Sequence, residues 1–500
     1  MKWLLLVLTL FFGAKPALAT SELIEGVSLT VSSEAQGYPG TQAVDGNRNT
    51  FWKITNEADH WISIDLKANQ TINKLILIPQ QSKKDRTVHR IEVGPSMNQL
   101  KKLIILDQLT ENNKIIEIPL LAPVNNVRFI KITSLKNSSW KGWREVQVFK
   151  GNTSEQHLQF FGYMSTDSIS DASSVESYFR ELELLNNTNI AWAKLDRLER
   201  YKKLGIKVLM ADTRWSFFNG SELKDGWQQK WEAYAEKLQP YKDIIYGFYF
   251  DEPVHNGFSR NAFVTATKTI RETFPDKAIM VIEARPPIDE DRIPTDYYNY
   301  VTDIGFDFYP TLHAGDYEDN WEKYLRIAEK FEKFSTQKKY WLIPDGYASG
   351  LERTTLWKEN FERYLSLAMT TQNSVGIMPF IYNAPEGQNM KYDLKEMIDP
   401  SGIIFNQEFR NRQIFVGRKI ITNNVVPTST PRPTVNITTK PTQLPTVTVN
   451  PLKGDYNNDG KVNIQDYLWW KEEYTKNPTT EMFWGYQTWK EEYVKTLKTI

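Results

Sequence analysis

The chain has 500 residues, 40% of them apolar and 13% aromatic, so it can fill large cores; at this length several domains are expected, because single cores stop growing at roughly 250–300 residues. Its 61 basic and 61 acidic residues cancel, which argues against nucleic acid or an anionic membrane surface as the main partner, since both demand clustered positive charge. The absence of cysteine excludes disulfides, thiolate metal sites and cysteine nucleophiles.

The N-terminus carries Lys2, an apolar run over 3–12 and Ala17-Leu-Ala19 before Thr20. A basic start, a short apolar core and an A-x-A ending predict a secretory signal over 1–19, and hence a secreted, extracellular product. No later apolar stretch approaches the about 18 residues of a spanning helix, so no transmembrane anchor is expected. Export without disulfides points to a bacterium.

Residues 21–151 hold short alternating segments, among them Trp61-Ile-Ser-Ile-Asp-Leu66, Ile72-Asn-Lys-Leu-Ile-Leu-Ile78 and Val127-Arg-Phe-Ile-Lys-Ile132. Period-two alternation between polar turns predicts an antiparallel β-sandwich. Ala43-Val-Asp-Gly-Asn47, Thr50-Phe-Trp52, Trp61-Ile-Ser-Ile-Asp-Leu66, Arg128-Phe-Ile-Lys-Ile132 and Trp143-Arg-Glu-Val-Gln-Val-Phe149 come in the order of the coagulation-factor 5/8 type C domain, and the whole segment resembles it. That resemblance implies a discoidin-like, galactose-binding-like jelly roll of the kind used as a carbohydrate-binding module. It also implies a structural calcium beside the Asp-Gly-Asn turn, near Asp45, Thr50 and Glu145; oxygen ligands suit that ion, while a plain turn closed by Asp45 is the simpler account. Tyr38, His60 and Trp140 are candidates for glycan contact, with packing as the competing role.

From 155 to 420, apolar runs alternate with amphipathic segments. Eight runs lie at 160–164, 189–195, 206–211, 244–250, 278–282, 304–309, 340–343 and 376–381, and helical spacing appears at 175–186, 227–238, 258–274, 320–334 and 357–371. Eight strand–helix units in this length predict a (β/α)8 TIM barrel. An open doubly wound sheet is the alternative, but no Gly-rich phosphate loop follows the first strand.

The fourth run, Tyr246-Gly-Phe-Tyr-Phe-Asp-Glu-Pro253, stops on two carboxylates at the strand end where parallel α/β folds place their chemistry. A helix-capping pair is the bland reading. Asp251-Glu252-Pro253 resembles the Asn-Glu-Pro that ends the fourth strand in a large clan of retaining barrel glycoside hydrolases. The resemblance implies Glu252 as general acid/base, with Asp251 standing where that clan has Asn. The clan's second glutamate, at the end of strand seven, has no counterpart; Asp345 is the candidate by position and Glu283 by residue type, with Asp307 and Asp212 as further strand-end carboxylates. An Asp-Glu pair at this point also resembles hexosaminidases that use the substrate's acetamide as nucleophile, which implies that Asp251 orients that group. Arg214, Trp215, Arg285, Tyr309, Tyr347 and Tyr382 at strand ends are substrate-binding candidates, together with Lys194, His313 and Asn383. The histidines show no metal spacing, so no catalytic metal is expected.

Residues 425–452 are rich in Thr and Pro and predict a semi-stiff linker. Within 453–500, Asp455-Tyr-Asn-Asn-Asp-Gly-Lys-Val-Asn-Ile-Gln-Asp466 has the ligand spacing of a twelve-residue calcium loop: Asp455, Asn457, Asp459, the Lys461 carbonyl, Asn463 through water and Asp466, with Gly460 at the turn. It resembles the first half of a dockerin, an EF-hand-type module, but the second half lacks acidic ligands before its duplicated helix. One calcium site is expected there, with a cohesin or a cell-surface partner as alternative attachments. The function these readings imply is a secreted glycoside hydrolase acting on a polysaccharide or glycan; a glycan-binding adhesin with a degenerate barrel is the alternative.

Overall fold

The computed structural model describes residues 21–55, 60–136, 139–154, 156–164, 172–313, 315–348, 356–380, 392–393 and 407–424. The expected signal over 1–19, the expected linker over 425–452 and the whole of 453–500 lie outside them. Among the described residues no helix is long and apolar enough to cross a membrane.

The N-terminal module is a seven-stranded antiparallel sheet folded on itself: β1 (Glu22–Leu23), β2 (Ser28–Val31), β3 (His60–Gln81), β4 (Asp85–Gly94), β5 (Lys101–Thr110), β6 (Ile116–Lys136) and β7 (Trp140–Lys150), in the order β1-β7-β3-β6-β4-β5 with β2 on β3. The long strands β3 and β6 change register between Asp65 and Gln70, where Lys67 takes a positive φ of 68° and donates its N–H to Asp65. Such an irregularity bends a strand, so one pair of strands serves both layers. Alternation puts Ile62, Ile64 and Leu66 inward beside Trp52, Trp140 and Trp143, all buried.

The second module is a closed barrel of eight parallel strands, with each of the eight predicted runs contributing one strand. In chain order come β8 (Phe160–Tyr163), α1 (Ala172–Leu185), β9 (Ile190–Ala193), α2 (Leu198–Leu204), β10 (Lys207–Met210), α3 (Arg214–Phe217), β11 (Phe218–Asn219), β12 (Glu222–Leu223) and α4 (Trp227–Leu238). Then follow β13 (Ile245–Asp251), α5 (Arg260–Thr273), β14 (Ala278–Ala284), α6 (Arg285–Asp289), β15 (Asp303–Asp307), α7 (Tyr317–Ser335), β16 (Lys339–Leu342), β17 (Tyr347–Ala348), α8 (Trp357–Thr370), β18 (Ser374–Ile377), β19 (Tyr392–Asp393) and α9 (Gln407–Asn424). The barrel strands are β8, β9, β10, β13, β14, β15, β16 and β18.

Side chains fill the lumen rather than lining a pore. Leu209, Tyr249, Met280, Ile282 and Trp341 pack together there, and Phe160 stacks on Trp341 with ring centres 5.3 Å apart. At one level Tyr246 Oη and Trp341 Nε1 both donate to Asp303 Oδ1, at 2.6 and 2.8 Å, so this buried carboxylate is paid with two donors. Tyr249 stands at the other level, with its hydroxyl directed to the strand's C-terminal end.

Sandwich and barrel meet through a charged knot. Arg86 of β4, fully buried, donates to Asp107 Oδ1 and Oδ2 at 2.7 and 2.8 Å and to Glu318 Oε2 of α7 at 2.6 Å. Arg363 of α8 completes it, 2.9 Å from Asp107 Oδ2. The bidentate guanidinium–carboxylate geometry satisfies charges that burial would otherwise make costly.

Candidate active site at the barrel mouth

An open concavity of about 520 Å³ on the sandwich, lined by Val93, Gly94, Pro95 and Val127 among others, holds no carboxylate or imidazole. The reactive groups gather instead at the C-terminal ends of β13, β14 and β15.

The apolar run of β13 places Tyr249 inward and brings Asp251 to the strand end. Tyr249 Oη donates to Asp251 Oδ1 at 2.6 Å, and Trp192 meets the Tyr249 ring edge-to-face at 4.9 Å. Asp251 keeps contact with solvent, yet the protein packed around the throat raises its carboxyl, against the Tyr249 bond and the charge of Arg214.

One residue on, Glu252 N still donates to Ile282 O at 2.8 Å, but its φ is +43°, a left-handed conformation that is costly for a residue with a Cβ. Pro253 then ends the ladder and a tight turn follows, with Asn256 N bonding Glu252 O at 2.8 Å and Phe258 N bonding Pro253 O at 2.9 Å.

Glu283, on β14, lies beneath that turn and is completely buried. Its Oε2 accepts from Val254 N at 3.1 Å and Tyr298 Oη at 2.8 Å; its Oε1 accepts from His255 N at 3.2 Å and Ala284 N at 3.0 Å. Burial raises this carboxyl and the four donors oppose the rise. Three of its four bonds hold backbone N–H groups and the fourth holds the Tyr298 hydroxyl, so what it does is shape the loop that carries Glu252.

The carboxyl that couples to Glu252 is Asp307, the last residue of β15: each shifts the titration of the other. Burial raises both, and the nearby Asp251 charge adds to it. Two mutually coupled carboxyls cannot both ionise easily, so the pair retains one proton above the usual carboxylate range. Tyr309 Oη stands 3.4 Å from Asp307 Oδ2, its ring stacked on Phe380 at 5.6 Å.

The remaining sequence candidates scatter. Asp345 is buried and bound by Thr311 N at 3.1 Å, by the Thr311 hydroxyl and by the Asn360 amide; burial raises it to about 6. These bonds tie it to the loop after β15 and to α8. Asp212 accepts from the Tyr234 hydroxyl and from Leu195 N at 3.2 Å. Arg285 pairs with Asp289 at 3.0 Å, and its guanidinium lies 5.5 Å from the Phe308 ring, on which His313 stacks at 4.3 Å. Lys194 is exposed just past β9. Arg214 and Trp215 begin α3 at the same end of the barrel, and Trp215 is 63% exposed. Tyr347 begins β17, while its side chain, Tyr382 and Asn383 lie outside the described residues, as does the whole Asp455, Asn457, Asp459, Lys461, Asn463, Asp466 loop.

Sequence reasoning included Asp307 among strand-end acids without bringing it to Glu252, and it missed Tyr298 and the bond of the Tyr249 hydroxyl to Asp251. A signal existed: Phe306-Asp-Phe-Tyr-Pro310 sets an acid at the end of an apolar strand, with a proline three residues on.

In the sandwich, Asp45 Oδ1 accepts from Asn47 N at 2.8 Å, and Thr50 Oγ1 lies 2.8 Å from Asp45 Oδ2 and 2.7 Å from the Asn47 carbonyl oxygen. Glu145 is buried against Asp45, and its Oε1 has no hydrogen-bond partner among the described residues. Burial first, then the bond and charge of Asp45, push the Glu145 carboxyl up to about 7. Trp140 is buried between His89 and Trp143, His60 is half-buried beside it, and Tyr38 stacks on Phe51 at the surface.

Residues 28–148 match the F5/8 type C domain family, so the N-terminal sandwich is a discoidin-like domain. Similar solved structures include the Clostridium perfringens module CpGH89CBM32-6, at 19% identity over 26% of this chain and 100% of that one with a TM-score of 0.23. The family 32 carbohydrate-binding module of C. perfringens NanJ, solved with galactose, is 20% identical over 27% and 100% of the two chains, with a TM-score of 0.23. The F5/8 type C domain of a Bacteroides fragilis protein is 17% identical over 27% and 99%, with a TM-score of 0.24. A comparison with curated proteins yields no match.

Proposed function

We propose that this protein is an exported glycoside hydrolase that cleaves a polysaccharide or glycan at the barrel mouth, with the discoidin-like domain holding it on the substrate. The observation that carries the reading is the Glu252–Asp307 carboxyl pair, a proton held above the usual carboxylate range at the C-terminal end of a parallel barrel. In this reading Glu252 gives that proton to the glycosidic oxygen as the bond breaks, and Asp307 keeps it on the enzyme until then. Asp251, held by Tyr249 and facing the charge of Arg214, is the second carboxyl group beside the reacting carbon.

The mutual coupling of Glu252 and Asp307 favours one form of this chemistry. A carboxyl that shares its proton with a neighbour is not the independent partner that a retaining pair at roughly 5–5.5 Å or an inverting one at roughly 6.5–9.5 Å requires. The two therefore act as one proton-holding unit, and Asp251 orients a substrate acetamide that attacks in place of a second enzyme carboxylate. Glu283 and Asp345, whose oxygens are engaged elsewhere, are positioning residues in this scheme.

For the sandwich we propose calcium held by Asp45, Glu145, Thr50 Oγ1 and the Asn47 carbonyl. The partnerless Glu145 oxygen beside a second carboxylate is a donor set suited to a hard cation, which supplies the positive charge that lets both acids ionise. A second calcium in the Asp455–Asp466 loop, and attachment through that module to a cohesin or a cell surface, belong to the same proposal.

Release of reducing ends from a panel of glycans with and without N-acetyl groups, by wild type, Glu252→Gln and Asp251→Asn, tests the reading. Turnover confined to N-acetylated substrates and lost in both variants is expected. Binding without turnover on any glycan would make the protein an adhesin, and undiminished turnover by Glu252→Gln would remove the acid from its role.

A further inference from the structure

Arg214 is held in an unusual way for a cation at the edge of an acidic site. Its guanidinium lies 4.7 Å from the ring of Trp215 and 5.4 Å from that of Phe258, and among the described residues it makes neither a hydrogen bond nor an ion pair. Its Nε is buried with no partner. The neighbouring arginines at this end of the barrel are spent: Arg285 on Asp289, and Arg260 on Asp296. Arg214 feels Asp251 only through space.

The ring contacts are themselves built. Phe258 stacks on Phe218 at 4.3 Å, and Phe218 belongs to the β11–β12 hairpin, which is tied back to the turn after β13 by Ser259 N on Ser221 O at 3.1 Å and Ser259 Oγ on Glu222 Oε2 at 2.8 Å. The Lys224 ammonium grips the Trp215 carbonyl from the other side. The result is a guanidinium flanked by two aromatic rings, with its donors uncommitted among the described residues, next to the most exposed of the large apolar side chains among those residues, Trp215.

We propose that Arg214 and Trp215 form a subsite for an anionic sugar unit, one bearing a carboxylate or a sulfate ester, next to the residue cleaved at Glu252. The sugar's C–H face lies on the Trp215 ring while its anionic group takes the donors of Arg214. A preoriented guanidinium fork binds such oxyanions through parallel hydrogen bonds, and stacking on aromatic rings leaves it weakly hydrated, so little water has to be displaced. The subsite also answers a charge problem: a polyanion approaching Asp251, Glu252 and Asp307 meets repulsion unless one cation at the rim is left free to receive it. The inference rests on the glycosidase reading for its location, but its test does not need turnover.

The experiment is titration calorimetry with the full chain carrying Glu252→Gln, so that the ligand survives. The ligands are oligogalacturonides and hyaluronan oligosaccharides as carboxylated probes, sulfated galactan oligosaccharides as sulfated ones, and galacto-oligosaccharides as neutral controls. At least one anionic probe is expected to bind more tightly than its neutral counterpart, with affinity falling as salt rises. Adding Arg214→Gln then weakens that probe tenfold or more and leaves neutral sugars within twofold, as expected for loss of a charged hydrogen-bond donor set. Arg214→Lys recovers part of the affinity for a carboxylate or sulfate, keeping the charge without the fork, and Trp215→Ala weakens charged and neutral probes alike. Which anionic class responds identifies the substituent. The proposal is overturned if no anionic probe outcompetes its neutral counterpart, or if Arg214→Gln leaves the affinity unchanged, as it would were all the binding in the sandwich. Failure of the glycosidase reading shows separately, as turnover unaffected by Glu252→Gln.

Discussion

Replacing Glu283 by Gln keeps the shape of the side chain and removes one acceptor oxygen, which isolates its role beneath the acid-bearing turn. If the amide nitrogen takes the place of Oε1, the His255 and Ala284 N–H groups both lose their acceptor; if it takes the place of Oε2, only the Val254 N–H does, because the Tyr298 hydroxyl can turn and accept. The chain adopts the cheaper arrangement, one unsatisfied buried donor, at about 1–3 kcal/mol. Relief of burying a carboxylate offsets part of this, which places the net effect in the lower half of that range. The left-handed Glu252 conformation is of similar cost and persists only because its surroundings impose it, so the loss appears first as opening of the turn. Hydrogen exchange of the 252–258 backbone is expected to speed up about 5- to 30-fold, the equivalent of about 1–2 kcal/mol, while α7 and the sandwich strands exchange as before. In parallel kcat falls with little change in KM, since the turn carries the acid rather than the substrate contacts. Unchanged exchange at 252–258 in a folded Glu283→Gln protein would refute the reasoning, since it would mean the four bonds do not hold the turn.

Asp307→Ala removes the side chain that holds the Glu252 carboxyl down and leaves burial and the Asp251 charge that push it up; the Glu252 carboxyl then titrates higher, and because the acid works only when protonated, the alkaline limb of the pH–rate profile moves to higher pH, which carboxyl carbon-13 titration of Glu252 also reads. Without calcium, Glu145 titrates near 7 in the folded sandwich against an ordinary value of 4.5, so the folded state binds the extra proton and stability falls as pH rises from about 4.5 to 7, then levels off. Water near this edge screens the pair, so the fall amounts to about 2 kcal/mol. Calcium should abolish that slope and release protons at pH 6, and a melting curve indifferent to both calcium and pH would count against the site. Arg86→Ala strands Asp107 beside Arg363 in the interior of the sandwich–barrel contact and is expected to cost about 3–5 kcal/mol in denaturant unfolding; a loss below 1 kcal/mol would mean that water replaces the guanidinium.

The alternation of Trp61-Ile-Ser-Ile-Asp-Leu66 and the eight apolar runs were enough to predict a sandwich and a closed parallel barrel, because burial on one face or on both writes a period directly into the chain. The position of Glu252 was legible for the same reason: an aromatic strand that ends on Asp-Glu-Pro must deliver its acids to the strand's C-terminal rim. Its partner was not. Asp307, Glu283 and Asp345 are all acids at strand ends, and sequence separation says nothing about which of them meets Glu252 across the barrel. That was decided by stagger and by competition for donors. Glu283 is consumed by the turn it supports, Asp345 by Thr311 and Asn360, and Asp307 is the one brought against Glu252. Arg214 differs from its neighbours in the same way, since its type was visible in the chain but its lack of a carboxylate partner among the described residues is a property of packing alone. Residue types set which chemistries this protein can hold; the tertiary structure, by satisfying some buried charges and leaving others unsatisfied, decides which of them remain available to a ligand.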